Sequence, residues 1–302
     1  MLKIGVTGGT GFIGQYLLRE YADVCTFVVI TSGNSKKKLF EAPTVHYVVG
    51  DYTEQSLCST FAGCDGIVNL GAKRSSPESE NAFSNYLGNL SFSESVFRAA
   101  RELGIGNIVN LSSTAVYDKD LPVPFSEAMA VSPLSFYGAS KRSIELCAAL
   151  YNKRYGMHIK SLRLAQVVGE GERPGYILSV FKDRCREGLP LEIYGQGKSG
   201  KEYIYVKDVV RAIMLALEHS DKHGVYNIGS GVFTTNLELA QTFCRVFNNE
   251  AGYVFLSDKR ENVYEYYMDT SLAKRELGFE CKYDLNSAIA DTKREMELRN
   301  NG

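Results

Sequence analysis

Short apolar runs alternate along the chain with longer segments in which apolar residues recur every three or four positions. A short apolar run is typical of a buried strand, whereas the three-to-four spacing is typical of a helix that buries one face. Alternating strands and helices favour a parallel sheet with right-handed crossovers, the doubly wound α/β architecture of Rossmann type. The pattern predicts strands at residues 2–7, 25–30, 45–49, 66–70, 107–111 and 159–165 and strong helices at residues 80–103 and 137–155.

The pattern changes after Val167, where two glycine-rich and partly basic segments appear. We interpret this part of the chain as a smaller α/β lobe that binds the substrate. The run 203–217 and the strand 224–228 are predicted to return to the first domain. The expected organisation is a large domain and a smaller lobe, an arrangement that 302 residues suit. The first comprises residues 1–166 plus about 203–230, and the second about 167–202 plus 231–302.

Composition narrows the function classes. The chain has 34 basic and 35 acidic residues, so its formal charge of -1 offers no broad surface for nucleic acid or an anionic membrane. Seven scattered cysteines without a Cys-x-x-Cys pair argue against a disulfide framework and a zinc site, and no metal is expected. No apolar run approaches the roughly 18 residues of a membrane helix. We therefore expect a cytoplasmic protein that binds neither nucleic acid nor membrane.

A glycine-rich turn follows the first predicted strand. Its sequence at positions 8–14 is Gly-Gly-Thr-Gly-Phe-Ile-Gly, and a helix is predicted directly after it. Glycines at these positions permit a tight turn, close approach of the backbone to a pyrophosphate, and close packing of helix on strand. The turn therefore predicts a dinucleotide site.

The segment after the second strand departs from the usual NAD pattern. An acidic residue normally binds the adenosine ribose there, whereas this chain has Thr31, Ser32 and Asn34, followed by a lysine run at 36–38. Polar and basic residues are able to accept a 2′-phosphate. Both NAD and NADP therefore remain open at this point.

Three residues form a candidate catalytic group. Ser113 follows the fifth predicted strand, and Tyr137 and Lys141 share one face of a predicted helix. A tyrosine phenol, whose ordinary pKa is near 10, acts as a base near neutrality only beside positive charge, which Lys141 supplies. The Tyr-x-x-x-Lys spacing also occurs in a glycine-rich loop and in a strand-like stretch, at Tyr194 with Lys198 and at Tyr203 with Lys207. The position of Tyr137 near the serine-bearing strand distinguishes it from both.

These motifs resemble the extended short-chain dehydrogenase/reductase family, specifically its NAD-dependent nucleotide-sugar epimerase and dehydratase branch. The segment 7–14, which includes the glycine turn, matches the family's Thr-Gly-Gly-Thr-Gly-Phe-Ile-Gly, and the segments 203–209 and 226–231 match later family segments. The segment 111–117 resembles Ser-Ser-x-x-Val-Tyr, which assigns the catalytic role to Ser113, with Thr114 as the alternative. The likeness spans nearly the whole chain, and it implies that the first predicted domain is a dinucleotide-binding Rossmann domain and the second a nucleotide-sugar-binding lobe.

The resemblance implies a set of binding residues. Cofactor contacts are expected from Gly8, Gly11, Phe12, Ile13, Gly14, Thr31, Ser32, Asn34, Asp51, Tyr52, Leu70, Gly71, Ala72, Asn85, Tyr137, Lys141 and Ala165. Substrate contacts are expected from Arg74, Ser113, Tyr137, Gln166, Lys201 and Arg260. Three positions depart from the family pattern: Gln166 replaces an asparagine, Glu170 a proline, and Lys201 the arginine that binds the diphosphate.

The resemblance implies redox-neutral 4-epimerisation of a nucleotide-diphosphate hexose of the UDP-glucose or UDP-N-acetylglucosamine type, with NAD as cofactor and Tyr137 as base. Dehydration is disfavoured because Thr114 and Ala115 replace an Asp-Glu pair of dehydratases. An NADPH-dependent reductase of a nucleotide 4-keto-6-deoxy sugar is the alternative, since the acid after the second strand is missing. A non-catalytic dinucleotide-sensing regulator is a third reading, which the complete group of Ser113, Tyr137 and Lys141 disfavours. A homodimer formed through the two strong helices is also implied.

Overall fold

The computed structural model of the protein describes residues 1–33, 39–73 and 83–300. The strands are β1 (Leu2–Thr7), β2 (Cys25–Thr31), β3 (Val45–Val49), β4 (Gly66–Asn69), β5 (Asn107–Ser113), β6 (His158–Leu164), β7 (Gln166–Val168), β8 (Leu191–Tyr194), β9 (Gly200–Tyr205), β10 (Gly224–Ile228), β11 (Phe233–Thr235) and β12 (Tyr253–Leu256). The α-helices are α1 (Phe12–Tyr21), α2 (Glu54–Phe61), α3 (Phe83–Glu102), α4 (Phe136–Tyr155), α5 (Ile177–Arg186), α6 (Val206–Glu218), α7 (Asn236–Phe247), α8 (Ser271–Leu277) and α9 (Leu285–Asn300).

Seven parallel strands form the main sheet, in the order β3-β2-β1-β4-β5-β6-β10. Neighbouring residues of β5 enter different cores, because successive side chains of a strand point to opposite faces. Val109 packs in the core beneath α1 and α6, whereas Ile108 packs beneath α2, α3 and α4. Helices therefore cover both faces, and the predicted doubly wound α/β fold is confirmed.

Two smaller sheets lie outside the main one. β9 pairs with β7 and β11, and β8 pairs with β12. The run 203–217 divides between a smaller sheet and the main domain. Its first residues complete β9, whereas the rest forms α6, which packs on α1. The return of the strand 224–228 to the main sheet is confirmed. The exact division into two domains stays a prediction.

The predicted strands and helices agree closely with the structure. The predicted fourth strand ends one residue early, at Asn69, and the fifth continues to Ser113. Helix α4 begins one residue before its predicted start, because the Ser135 hydroxyl caps it by accepting the Gly138 N–H at 3.1 Å. The helix predicted at 80–103 is described from Phe83 onward, and its first three residues lie outside the described residues. Within the described ranges, no helix has the length and apolarity needed to span a bilayer.

Candidate active site

A cleft of about 350 Å³ opens at the carboxyl ends of β1, β4, β5 and β6. The chain proceeds from β1 to β2 and β3 on one side and continues through β4 on the other, so the sheet order reverses beside β1. Loops that leave neighbouring strands in opposite directions leave a crevice between them, where open α/β sheets bind ligands. The cleft therefore lies where this topology predicts a cofactor.

The glycine turn forms one wall of the cleft. Gly8 has a φ of 67°, and a Cβ there would lie only 2.7 Å from the Gly71 backbone nitrogen. At Gly14 a Cβ would lie 2.5 Å from the Cα of Gly9, so α1 approaches the turn closely. Gly11 is the N-cap residue of α1, and no side chain of the described residues caps this helix end. The positive end of α1 thus faces the cleft with its backbone N–H groups, an arrangement that fits a pyrophosphate.

The structure brings ten of the predicted cofactor residues to this cleft. They are Gly8, Gly11, Phe12, Ile13, Gly14, Leu70, Ala72, Tyr137, Lys141 and Ala165. Gly71 lies between two of them and donates its N–H to the Thr7 hydroxyl at 3.3 Å. A Cβ on Gly71 would overlap the Phe92 ring at 2.6 Å. A nicotinamide dinucleotide therefore fits the residues that are present.

The remaining predicted cofactor residues that the structure describes are not part of the lining of this cleft. Thr31 is buried at the end of β2, and its hydroxyl accepts the Gly33 N–H at 3.3 Å. Asp51 is exposed, and hydrogen bonds from the hydroxyl (2.7 Å) and N–H (3.0 Å) of Thr53 lower the pKa of its carboxyl. Tyr52 packs its ring 5.4 Å from that of Phe92. Ser32 is exposed, Asn85 is half-buried on α3, and Asn34 lies outside the described residues.

The candidate catalytic residues Ser113, Tyr137 and Lys141 all line the cleft. Lys141 is only 4% exposed, and its Nζ donates to the Leu111 carbonyl oxygen at 2.7 Å. The same Nζ lies 5.8 Å from the centroid of the Tyr137 ring, so a buried cation stands beside the phenol. Ser113 caps the short 3-10 turn Thr114–Val116 by accepting the Ala115 N–H at 3.2 Å.

The glycine that follows Tyr137 allows α4 to lie close to the segment that carries Ser113. Gly138 lies in the first turn of α4, where a Cβ would lie 2.1 Å from the Ala115 carbonyl oxygen. A side chain at this position would push α4 away from β5 and from the turn that follows it. The close approach of Tyr137 to the serine-bearing segment therefore depends on glycine at the next position.

A buried ionic network behind the cleft holds β5, β6 and α4 together. Glu145 lies one helical turn beyond Lys141 on the same face of α4, and its carboxylate accepts the Ser112 hydroxyl at 2.6 Å. Arg163, which pairs with Ser112 in the sheet register, binds the same carboxylate through two N–H donors at 2.8 and 2.7 Å. Burial lowers the pKa of Arg163, but the hydrogen bonds to Glu145 outweigh this and raise it above its ordinary value. The sequence analysis missed this pair, although the spacing of Tyr137, Lys141 and Glu145 by four residues was a visible signal.

A second cavity of about 520 Å³ adjoins the cleft beyond the turn after Ser113. Two predicted substrate residues, Gln166 on β7 and Lys201 on β9, line it. The Gln166 amide donates to the Glu172 carboxylate at 2.8 Å, and Glu172 lines the cleft. This hydrogen bond links the walls of the two spaces, and Ser113 of the cleft is followed directly by Thr114 of the second cavity. The candidate catalytic residues line the cleft, and Lys201 lines the second cavity.

One predicted substrate residue of the described ranges is not part of the lining of either space. Arg260 is exposed and lines neither, and Arg74 lies outside the described residues. The structure instead adds residues that the sequence analysis missed. Arg173 and Glu172 line the cleft, and Lys119, Asn262, Tyr264 and Tyr266 line the second cavity. No spacing signal identified these residues, because they come from loops distant in sequence.

The chain is similar along its length to known enzymes. A dTDP-glucose 4,6-dehydratase from an Actinoplanes species is 28% identical over 308 residues, which cover 96% of each chain. The crystal structure of UDP-N-acetylglucosamine 4-epimerase from Bacillus cereus is 30% identical, has a TM-score of 0.87, and covers 98% of this chain and 97% of that chain. A dTDP-glucose 4,6-dehydratase from Streptomyces venezuelae, solved with NAD bound, is 25% identical, has a TM-score of 0.85, and covers 99% and 98%.

The family assignment follows from a further comparison. The profile of the NAD dependent epimerase/dehydratase family matches residues 4–229, from β1 to the loop after β10. This match spans the glycine turn, the candidate catalytic residues and most of the second cavity. Because it covers well over half of the 302 residues, the chain belongs to the NAD dependent epimerase/dehydratase family, within the extended short-chain dehydrogenase/reductases.

Proposed function

We propose that this protein is a 4-epimerase of a nucleotide-diphosphate hexose, with NAD bound in the cleft and UDP-glucose or UDP-N-acetylglucosamine as the class of substrate. The observation that carries the proposal is the combination of Ser113, Tyr137 and Lys141 at the cleft with the uncharged turn at Thr114 and Ala115. Epimerisation needs a base and a hydride acceptor, and it needs no acid to expel a hydroxyl group.

The glycine turn and the start of α1 hold the dinucleotide phosphates, while Leu70, Ala72 and Ala165 form the apolar walls. When bound, the nicotinamide supplies reversible hydride transfer at C4 of the sugar. Lys201 binds the diphosphate of the substrate in the second cavity, and Gln166 lies between that group and the cleft. This assignment is supported by the position of Lys201 in the motif that carries an arginine elsewhere in the family.

Tyr137 removes the proton of the C4 hydroxyl and later returns it. Lys141 stabilises the phenolate through its buried positive charge, because the low-dielectric surroundings strengthen the attraction between the two groups. Ser113 donates a hydrogen bond to the C4 oxygen and keeps it near the phenol. The sugar turns between the two transfers while its diphosphate stays bound, and the adjoining cavity gives it room.

The first test is mass spectrometry of the nucleotide released from denatured protein. Retained NAD or NADH supports epimerisation, because the cofactor is regenerated within each cycle. NADP or an empty site, together with consumption of NADPH by a 4-keto sugar nucleotide, supports the alternative reductase. The observation that favours this alternative lies at the end of β2. Thr31 and Ser32 occupy the place where NAD enzymes carry an acidic residue.

The second test is turnover of UDP-glucose and UDP-N-acetylglucosamine without added cofactor. We expect Tyr137→Phe to lose turnover by at least 100-fold while it retains the nucleotide. Tyr194→Phe is the matched control, because Tyr194 has the same spacing to a lysine but is exposed on β8. A Tyr137→Phe variant with nearly normal turnover would reject Tyr137 as the base.

A further inference from the structure

The loop 169–173, here named the covering loop, connects β7 to the segment before α5 and lies across the glycine turn. Gly171, Glu172 and Arg173 line the cleft beside the first residues of α1. Gly169 packs so tightly that a Cβ there would lie 2.9 Å from the Phe12 ring, and one on Gly171 would lie 3.7 Å from it. The covering loop therefore forms the wall of the cofactor cleft that faces the start of α1.

Glu170 anchors this loop to three helices. Its carboxylate accepts the Lys182 ammonium of α5 at 2.8 Å, and both side chains are only 14% exposed. Arg299 of α9 lies 3.7 Å from the other carboxylate oxygen. The backbone carbonyl of Glu170 lies 3.2 Å from the hydroxyl of Tyr16, which belongs to α1. One residue therefore ties the covering loop to α1, α5 and α9.

The family motif at this position has proline instead of glutamate. Proline restricts the backbone and so stiffens a loop, whereas glutamate leaves it free. An exposed ion pair would restrain the loop little, but a pair that is largely shielded from water is stronger. The Glu170–Lys182 pair thus supplies by electrostatics a restraint that proline supplies covalently.

We propose that the Glu170–Lys182 ion pair holds the covering loop against the glycine turn and thereby slows release of the bound dinucleotide. Glu170 acts as a positioning residue, because it holds the covering loop in place and does not itself line the cleft. The proposal rests on the proposed function in that a dinucleotide occupies the cleft. Slow release suits a redox-neutral enzyme. The nucleotide that accepts the hydride must stay bound until the hydride has returned to the same sugar.

The test measures release of NADH by stopped-flow fluorescence after mixing with excess NAD, in the absence of sugar. We expect Glu170→Gln and Lys182→Met each to speed release by about fivefold to tenfold, and the double variant to be no faster than either single one. Glu170→Pro, which restores the family residue, is expected to release NADH within twofold of the wild-type rate.

Arg184→Met is the matched control, because it removes another ion pair of α5, the 2.9 Å contact with Glu192, away from the covering loop. Its release rate is expected within twofold of wild type. Thermal unfolding of each nucleotide-free variant, compared with Arg184→Met, separates a general loss of stability from faster release. Wild-type release rates in both Glu170→Gln and Lys182→Met would overturn the proposal.

The outcome also separates this proposal from the proposed function. If the wild-type protein binds neither NADH nor NADPH, both proposals fail. If it binds one of them and the two anchor variants release it at the wild-type rate, only the role of the ion pair fails. NADPH replaces NADH as the probe if mass spectrometry identifies NADP in the purified protein.

Discussion

Replacing Glu145 with leucine tests the buried network that joins β5, β6 and α4. The Glu145 side chain is 0% exposed and that of Arg163 only 2% exposed, so Glu145→Leu leaves a guanidinium without a counter-charge away from water. Removing one partner of a buried ion pair costs about 3–5 kcal/mol. A typical domain has about 5–15 kcal/mol of total stability, so the variant is expected to lose a large share of it. The Ser112 hydroxyl also loses its acceptor, which loosens the segment that carries Ser113.

The assay is urea unfolding followed by circular dichroism. The matched control is Arg142→Leu, because Arg142 contacts the same Glu145 carboxylate at 3.2 Å but is 35% exposed. Its loss is expected at about 1 kcal/mol, because Arg142 is partly open to water and its removal leaves Glu145 paired with Arg163. The double variant Glu145→Leu with Arg163→Leu is expected to recover much of the lost stability, since no unpaired charge is then buried. A Glu145→Leu variant that loses no more stability than Arg142→Leu would refute the reasoning.

Three further predictions concern other parts of the molecule. Lys201→Ala is expected to raise the KM for the sugar nucleotide about 10- to 100-fold with a smaller change in kcat, and Lys201→Arg to restore it, in steady-state assays. Burial lowers the pKa of Lys160 to about 8, so the unfolded chain binds this proton more tightly. Stability relative to Lys160→Met should therefore rise by about 2 kcal/mol between pH 7.5 and 9.5 in urea unfolding, and a flat difference would contradict this. The exposed leucines of α4 are Leu146 and Leu150, at 50% and 58% exposed. If they lie in the interface of the predicted homodimer, Leu150→Glu should yield monomers in analytical ultracentrifugation, whereas an unchanged mass would contradict this.

Local patterns in the sequence were sufficient for the fold class and for much of the candidate site. The strand and helix periods lie within single segments, so they identified the parallel α/β sheet and the approximate bounds of its seven strands. The glycine turn is likewise contiguous, and its residues line the cleft. Tyr137 and Lys141 are one helical turn apart, so their shared face followed from helix geometry alone.

Tertiary contacts decided what local patterns could not. The second cavity joins Thr114 to Tyr264 and Tyr266, residues about 150 positions apart in the chain, and no spacing rule relates them. In the sequence, Glu170 stands out only because it replaces the proline of the family motif. The proposed role as an anchor depends on α5 and α9, which pack beside it. The sequence by itself determined the strands of the main sheet and the reactive groups, because those depend on neighbours along the chain. Only the folded structure decided which distant side chains share a wall, since that depends on how the helices and the smaller sheets pack.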